Sequence, residues 1–262
     1  MSMYFVQIAA PPFILIVFIV SIIIFGVSAL FAGRRPALRP LPGFKSLPGQ
    51  LSQVIEEGQS LPLSLGSGGV GGSDTATTLA GLAVLEGLSE ESAATDVPPT
   101  VTVADPTILV MAQDVLRRAY AQQGNAAGLD FRSVRYVAAS PLPYAAGVMD
   151  LLSNEETSTS VMAGVFGPES AFIAEEGSRQ GLIQVAGVAD LTSQAVLYPS
   201  VNHLAIGEEM YAAGAYLSAK PASVGSLLAQ DIIRLILIIG IGVGGGIQLI
   251  RSLGMLLGGA PR

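Results

Sequence analysis

Seven consecutive residues, Gly66-Ser67-Gly68-Gly69-Val70-Gly71-Gly72, are the stretch of this chain whose types and spacing most directly suggest chemistry. Glycines at 66, 68 and 71 satisfy G-x-G-x-x-G, and the loop joins an apolar run that reads as a strand to a periodic run that reads as a helix. In that setting glycine lets the backbone approach a phosphate closely, and N–H groups at the helix start can hold it. Gly66, Ser67, Gly68, Gly69 and Gly71, together with Asp105, are therefore the candidate ligand-binding residues, for a nucleotide or another small anion. The match is incomplete. The acid expected about 20 residues further on is missing, since Asp96 and Asp105 stand 25 and 34 residues past Gly71. No basic residue lies near the loop and there is no Walker lysine. A tightly turning strand-to-helix connection accounts for the same glycines without a ligand.

Five carboxylates fall near the carboxyl ends of strand candidates: Asp105, Glu169, Asp190, Glu208 and Glu209. In a parallel sheet that edge is where ligands bind. The same residues also suit helix starts, where a negative charge is favourable. His203 is the sole histidine and there is no cysteine, so thiolate chemistry, disulfides and His-rich metal sites are excluded. No G-x-S-x-G is present, and Tyr144, Tyr211 and Tyr216 sit on Ala-rich helical stretches where they read as packing residues. No catalytic residue, metal site or cofactor follows from these residues.

Short apolar runs alternate with longer periodic ones to position this loop and these acids. Strands are expected over Leu61–Leu65, Thr100–Ala104, Ser133–Ala138, Ser160–Phe166, Leu182–Ala186 and His203–Ile206. Helices are expected over Asp74–Leu88, Pro106–Gln122, Pro141–Leu152, Glu169–Arg179, Thr192–Leu197 and Glu208–Leu217. Asp105-Pro106, Ser140-Pro141 and Gly167-Pro168 each set a capping or flexible residue before a proline suited to a first helical turn. On Pro106–Gln122, Leu109, Ala112, Leu116 and Tyr120 recur at helical spacing. Alternation of this kind predicts an α/β fold, a Rossmann-like parallel sheet with helices on both faces.

Both ends read differently. Residues 12–32 carry no charge over twenty-one positions, about 31 Å as a helix, which matches a bilayer's hydrocarbon core. Residues 235–250, between Arg234 and Arg251, form a second, shorter apolar segment. Its pairs Gly240/Gly244 and Gly242/Gly246 would let another helix approach closely. The expected organisation is an N-terminal transmembrane helix (1–33), a Pro-rich basic linker (34–50), a Rossmann-like domain (51–220), and a helix continuing into a C-terminal transmembrane segment (221–262). Arg34, Arg35, Arg39 and Lys45 follow the first apolar run, and none precedes it. The positive-inside rule then sets both termini outside and the domain in the cytoplasm of a bacterial inner membrane.

Between Gln50 and Gln230 nineteen acidic residues face six basic ones, so nucleic acid is excluded as a partner on charge. Only 13% of the chain is charged, against roughly 25% in an ordinary soluble domain. Ala-rich stretches such as Met210–Ala219 offer few charges to an outer face, so copies are expected to associate there.

Together, GSGGVGGSDTATTLAGLAVLEGL, VTVADPTILVMAQDVLRRAY, PLPYAAGVMDLL and IGEEMYAAGAYL resemble an uncharacterised family of bacterial membrane-anchored proteins with a domain of unknown function, over about residues 60–230. The resemblance implies a membrane location and a Rossmann-like domain, and brings no catalytic residue. The leading expectation is a membrane-tethered scaffold or assembly subunit forming homo-oligomers. The alternative is a nucleotide- or small-anion-sensing module, or an enzyme, using the Gly66–Gly72 loop.

Overall fold

Each apolar run between residues 61 and 206 becomes a strand in the computed structural model, which describes residues 42–95, 97–124, 130–217 and 234–246, and positions 15, 18–22, 26, 227 and 248. The strands are β1 (Pro62–Gly66), β2 (Thr100–Val103), β3 (Val134–Tyr136), β4 (Thr159–Val165), β5 (Ile183–Val188) and β6 (His203–Ile206). The helices are α1 (Pro42–Glu56), α2 (Thr75–Ser92), α3 (Pro106–Gln122), α4 (Pro141–Asn154), α5 (Ser170–Arg179), α6 (Leu191–Leu197) and α7 (Glu209–Leu217). All strand pairings are parallel, in the order β3-β2-β1-β4-β5-β6. The expected α/β class and its parallel sheet are therefore present. β1, β2 and most of β4 and β5 are buried on both faces, as a sheet covered by helices on each side requires.

One core layer packs Tyr144, Val148 and Leu152 of α4 and Ile173 of α5 onto Met162, Ala186 and Val188 of the sheet. On the other side α2 lies against α3 and α7, while α1 packs against α7 and β6. On α3 the buried residues are Ile108, Ala112, Val115, Leu116, Ala119 and Tyr120, so Ile108 takes the place expected for Leu109, which is half-buried.

The expected linker needs correction over 42–50, which belongs to α1 rather than to an extended connector. Four prolines between 36 and 48 outweigh the helical pattern in a first reading. Phe44, Leu47, Leu51 and Val54, all buried, nevertheless recur at three- and four-residue spacing along one face. Pro42 stands at the helix start, where a missing N–H costs nothing, and Pro48 is carried inside. The compact unit accordingly runs Ala37–Ala219.

The Ala-rich helix α7 is also corrected. Met210, Ala212, Ala213 and Ala215 are buried within the domain, and a Cβ on Gly214 would come within 2.9 Å of the Ala83 Cβ on α2. Low charge on this helix goes with burial of these four residues inside the domain, while Tyr211 stays exposed.

Among the described residues no helix is long and apolar enough to cross a membrane. That finding overturns the expectation of a multi-pass protein of the bacterial inner membrane with a cytoplasmic domain and both termini outside. Positions 227, 234–246 and 248 are helical. Among the described residues, nothing outside the local helix backbone lies within 4 Å of a Cβ built on Gly240, Gly242, Gly244 or Gly246. Most of the N-terminal segment 12–32, residues 34–41 of the expected linker, the link from Pro221 to 233 and the end of the C-terminal segment lie outside the described residues.

Candidate functional site

β1 and β4 are neighbours whose following helices leave for opposite faces of the sheet, so a crevice opens between their carboxyl ends. The Gly66–Gly72 loop leaves β1 at that point. Gly66 has φ +76°, and a Cβ there would sit 2.0 Å from the carbonyl oxygen of Val165 on β4. Gly164 mirrors it: with φ +155°, its Cβ would sit 2.0 Å from the carbonyl oxygen of Leu65. The register between β1 and β4 shifts between Ser64 and Gly66, and the Ser67 N–H donates to the Val165 carbonyl at 2.8 Å. This irregularity turns the chain out of the sheet and requires a residue without a side chain on each strand.

A buried hydroxyl group anchors the turn from below. The Tyr144 Oη, from α4, accepts the Gly66 N–H at 3.1 Å and donates to the Thr102 carbonyl at 3.1 Å. It also lies 3.0 Å from Thr102 Oγ1, which donates to Ser64 Oγ at 3.1 Å. Burial pushes the Tyr144 phenol up, so it stays protonated and holds structure rather than accepting a proton from a substrate. Tyr144 is thus more than a packing residue. Tyr144→Phe should cost about 1–3 kcal/mol, because it leaves a buried N–H and a threonine hydroxyl short of a partner. Chemical denaturation read by circular dichroism would measure the loss.

The remaining loop residues divide between packing and exposure. A Cβ on Gly68 would come 2.3 Å from Thr78 Oγ1 and 2.5 Å from Val165 Cγ2, so this glycine seats the loop against α2 and β4. The position above Gly69 lies 3.2 Å from Asp105 Oδ2. The structure therefore brings Asp105 to the loop, although the sequence spacing is longer than the fingerprint expects. Its other oxygen, Oδ1, caps α3 by accepting the N–H groups of Thr107 (2.7 Å) and Ile108 (3.3 Å). The Gly71 and Gly72 N–H groups donate to Thr75 Oγ1 at 2.9 and 3.1 Å, so the loop satisfies those two donors internally.

The crevice holds a cleft of about 250 Å³ lined by Asp74, Thr77, Gly164, Val165, Phe166, Ala189 and Asp190. Asp74 stands at the N-cap of α2 without using its side chain to cap it. Across the cleft, Asp190 accepts the Ser193 N–H at 3.0 Å, and that bond first, then others from Ser193 and Thr192, holds its carboxyl below the ordinary carboxylate range. The Ser193 hydroxyl in turn donates to the Phe166 carbonyl, tying α6 to the end of β4. Thr77 Oγ1 lies 2.9 Å from Tyr211 Oη. Two aspartates and a threonine hydroxyl thus face an apolar wall of Val165 and Phe166.

The other sequence candidates take structural places. Glu169 Oε1 accepts the Gly167 N–H at 2.8 Å, and Glu209 Oε2 accepts the Ile206 N–H at 3.2 Å. His203 is half-buried at the start of β6. Among the described residues no group of three or more His, Cys, Asp or Glu is placed to hold a metal ion. Asp74, Thr77 and the Ser64–Thr102–Tyr144 cluster were not singled out in the sequence. For Asp74 and Thr77 the usable signal was position, at the start of the helix that follows the glycine loop.

Sheet order, covered faces and a glycine loop at the strand-order reversal define a doubly wound, Rossmann-like α/β domain. The chain belongs to the family described as Domain of unknown function (DUF6754), whose model matches residues 2–256. The match covers nearly the whole chain, a longer stretch than the motifs at 60–230 carried. No curated protein and no solved structure matches it.

Proposed function

We propose that the domain is a ligand-sensing module that takes a small hydroxyl- or amine-bearing molecule in the cleft between β1 and β4. The observation that carries this reading is the position of the cleft: it opens at the point where the strand order reverses, beside the glycine loop, where doubly wound sheets bind their ligands. The lining selects the ligand class. Asp74 and Asp190 face the cleft and Asp105 Oδ2 flanks the loop at Gly69, so a phosphate would meet carboxylates with no basic residue to offset them. The Thr75 hydroxyl already occupies two of the amides a phosphate would need. Carboxylates suit hydroxyl and ammonium donors, and Val165 with Phe166 suits an apolar face of the same molecule.

Met210, Ala212, Ala213 and Ala215 of α7 pack inside the domain, so an assembly role would draw on other side chains, such as the exposed Tyr211.

Thermal unfolding in the presence of adenosine, spermidine and ATP tests the ligand class. At about 100 times its Kd, a bound member should stabilise the chain by about 2.7 kcal/mol and raise Tm by several degrees. A neutral or cationic member is expected to do so and ATP is not. Asp74→Asn should remove the effect with little loss of basal stability, since the Asp74 side chain caps nothing. A shift with ATP alone would overturn the reading in favour of a phosphate cradle, and no shift from any member would remove it.

A further inference from the structure

Among the described residues that line the cleft, Thr77 carries the side chain that can both donate and accept a hydrogen bond. The carboxylates of Asp74 and Asp190 accept and donate none, and Val165 and Phe166 are apolar. Thr77 is 9% exposed, and its Oγ1 lies 2.9 Å from the Tyr211 Oη of α7, in a bond that either hydroxyl can donate.

The packing of α7 on α2 fixes that bond. Contacts advance together along the two helices: Thr77 meets Tyr211, Ala83 meets the Gly214 position, and the Gly87 position meets Leu217. A Cβ on Gly214 would come 2.9 Å from the Ala83 Cβ, and one on Gly87 would overlap Leu217, so the helices approach closely and α7 has no room to slide. Tyr211 is 40% exposed and can complete its own hydrogen bonding with solvent. Reversing the Thr77–Tyr211 bond therefore strands no polar group. When Tyr211 donates, the Thr77 proton is left for a molecule in the cleft; when Thr77 donates, its lone pairs are.

We propose that the Thr77–Tyr211 pair makes the cleft specific for a polyol, a sugar or nucleoside with adjacent hydroxyl groups, one donating to an aspartate and its neighbour held by Thr77. This rests on the cleft being the ligand site. Tyr211 is a positioning residue that acts through Thr77. A polyamine brings donors alone, so the carboxylates serve it and the Thr77 proton goes unused. Each hydroxyl of a polyol is donor and acceptor, so it uses both. A site built to bond a hydroxyl discriminates against an analogue that lacks it, because its own polar groups are then left unpaired.

The test is calorimetric titration of the full chain with adenosine, with dideoxyadenosine, which lacks the adjacent hydroxyls, and with spermidine. Adenosine is expected to bind about tenfold tighter than dideoxyadenosine. Tyr211→Phe and Thr77→Val should each weaken adenosine about fivefold and leave dideoxyadenosine within about twofold. The double variant should lose little more than either single one, since both changes remove the same bonded unit. Circular dichroism checks the fold, and Tyr211→Phe carries the test if Thr77→Val does not fold. Equal losses for the two nucleosides would reduce Tyr211 to packing, and additive losses would uncouple it from Thr77; either result would overturn the proposal. Binding of spermidine by a chain that takes neither nucleoside would also overturn it, while leaving the cleft as a site for amines. Silence from every probe would remove the polyol and the cleft reading together.

Discussion

Gly66→Val is expected to destroy stable folding of the domain. Gly66 has φ +76°, a region that costs an L-residue roughly 1–2 kcal/mol and a β-branched one more. The added Cβ would also lie 2.0 Å from the Val165 carbonyl oxygen, in backbone that pairs with β1 and β5 and has no room to retreat. Relieving that overlap means breaking the β1–β4 junction at the centre of the sheet, so the loss should exceed about 3 kcal/mol, a large share of a typical 5–15 kcal/mol stability. Gly124→Ala is the control. Gly124 has φ +79° but nothing within 4 Å of its Cβ position, so it should show the conformational strain alone, about 1 kcal/mol. Comparison of denaturation midpoints separates the two contributions.

Ala213→Glu is expected to have an effect of similar size for a different reason. Ala213 is fully buried on α7, which packs closely against α2, with the Gly214 position 2.9 Å from Ala83 Cβ. A glutamate there is both too large and unpaired, and a buried charge without a partner typically costs about 3–5 kcal/mol. Ala213→Ser, close in volume, should cost far less. Any change in the association of copies caused by Ala213→Glu must be read beside far-UV circular dichroism, since the substitution acts on the fold before it acts on an interface.

Much of the fold was legible because buried parallel strands write themselves as short apolar runs. All six expected strands overlap the observed ones, and Asp105-Pro106 marks the start of α3 because carboxylate capping and proline geometry are local. Elsewhere two local signals compete. Proline density around Pro42 and Pro48 masks the Phe44-Leu47-Leu51-Val54 stripe, and the low charge of α7 goes with burial of Met210, Ala212, Ala213 and Ala215. The site was less legible because its parts come from distant stretches. Tyr144 reaches Gly66 and Thr102 across 78 and 42 residues, and no local pattern marks such a hydroxyl contact. Asp74 and Asp190 face one cleft only because the strand order puts β5 beside β4 and β4 beside β1. The glycine spacing fits a phosphate fingerprint, and Gly66 and Gly68 also meet the close contacts with Val165 and Thr78 that the strand-to-helix turn requires.

Amide hydrogen exchange, followed peptide by peptide with and without the panel member that raises Tm, tests the ligand reading most directly. The account predicts slowed exchange in segments that line the cleft, around Asp74–Thr78, Val165–Phe166 and Ala189–Asp190, and no slowing there in Asp74→Asn. Protection confined to Gly68–Ser73 and elicited only by ATP would contradict it, because it would place a phosphate on the loop amides and leave the carboxylate-lined cleft unused.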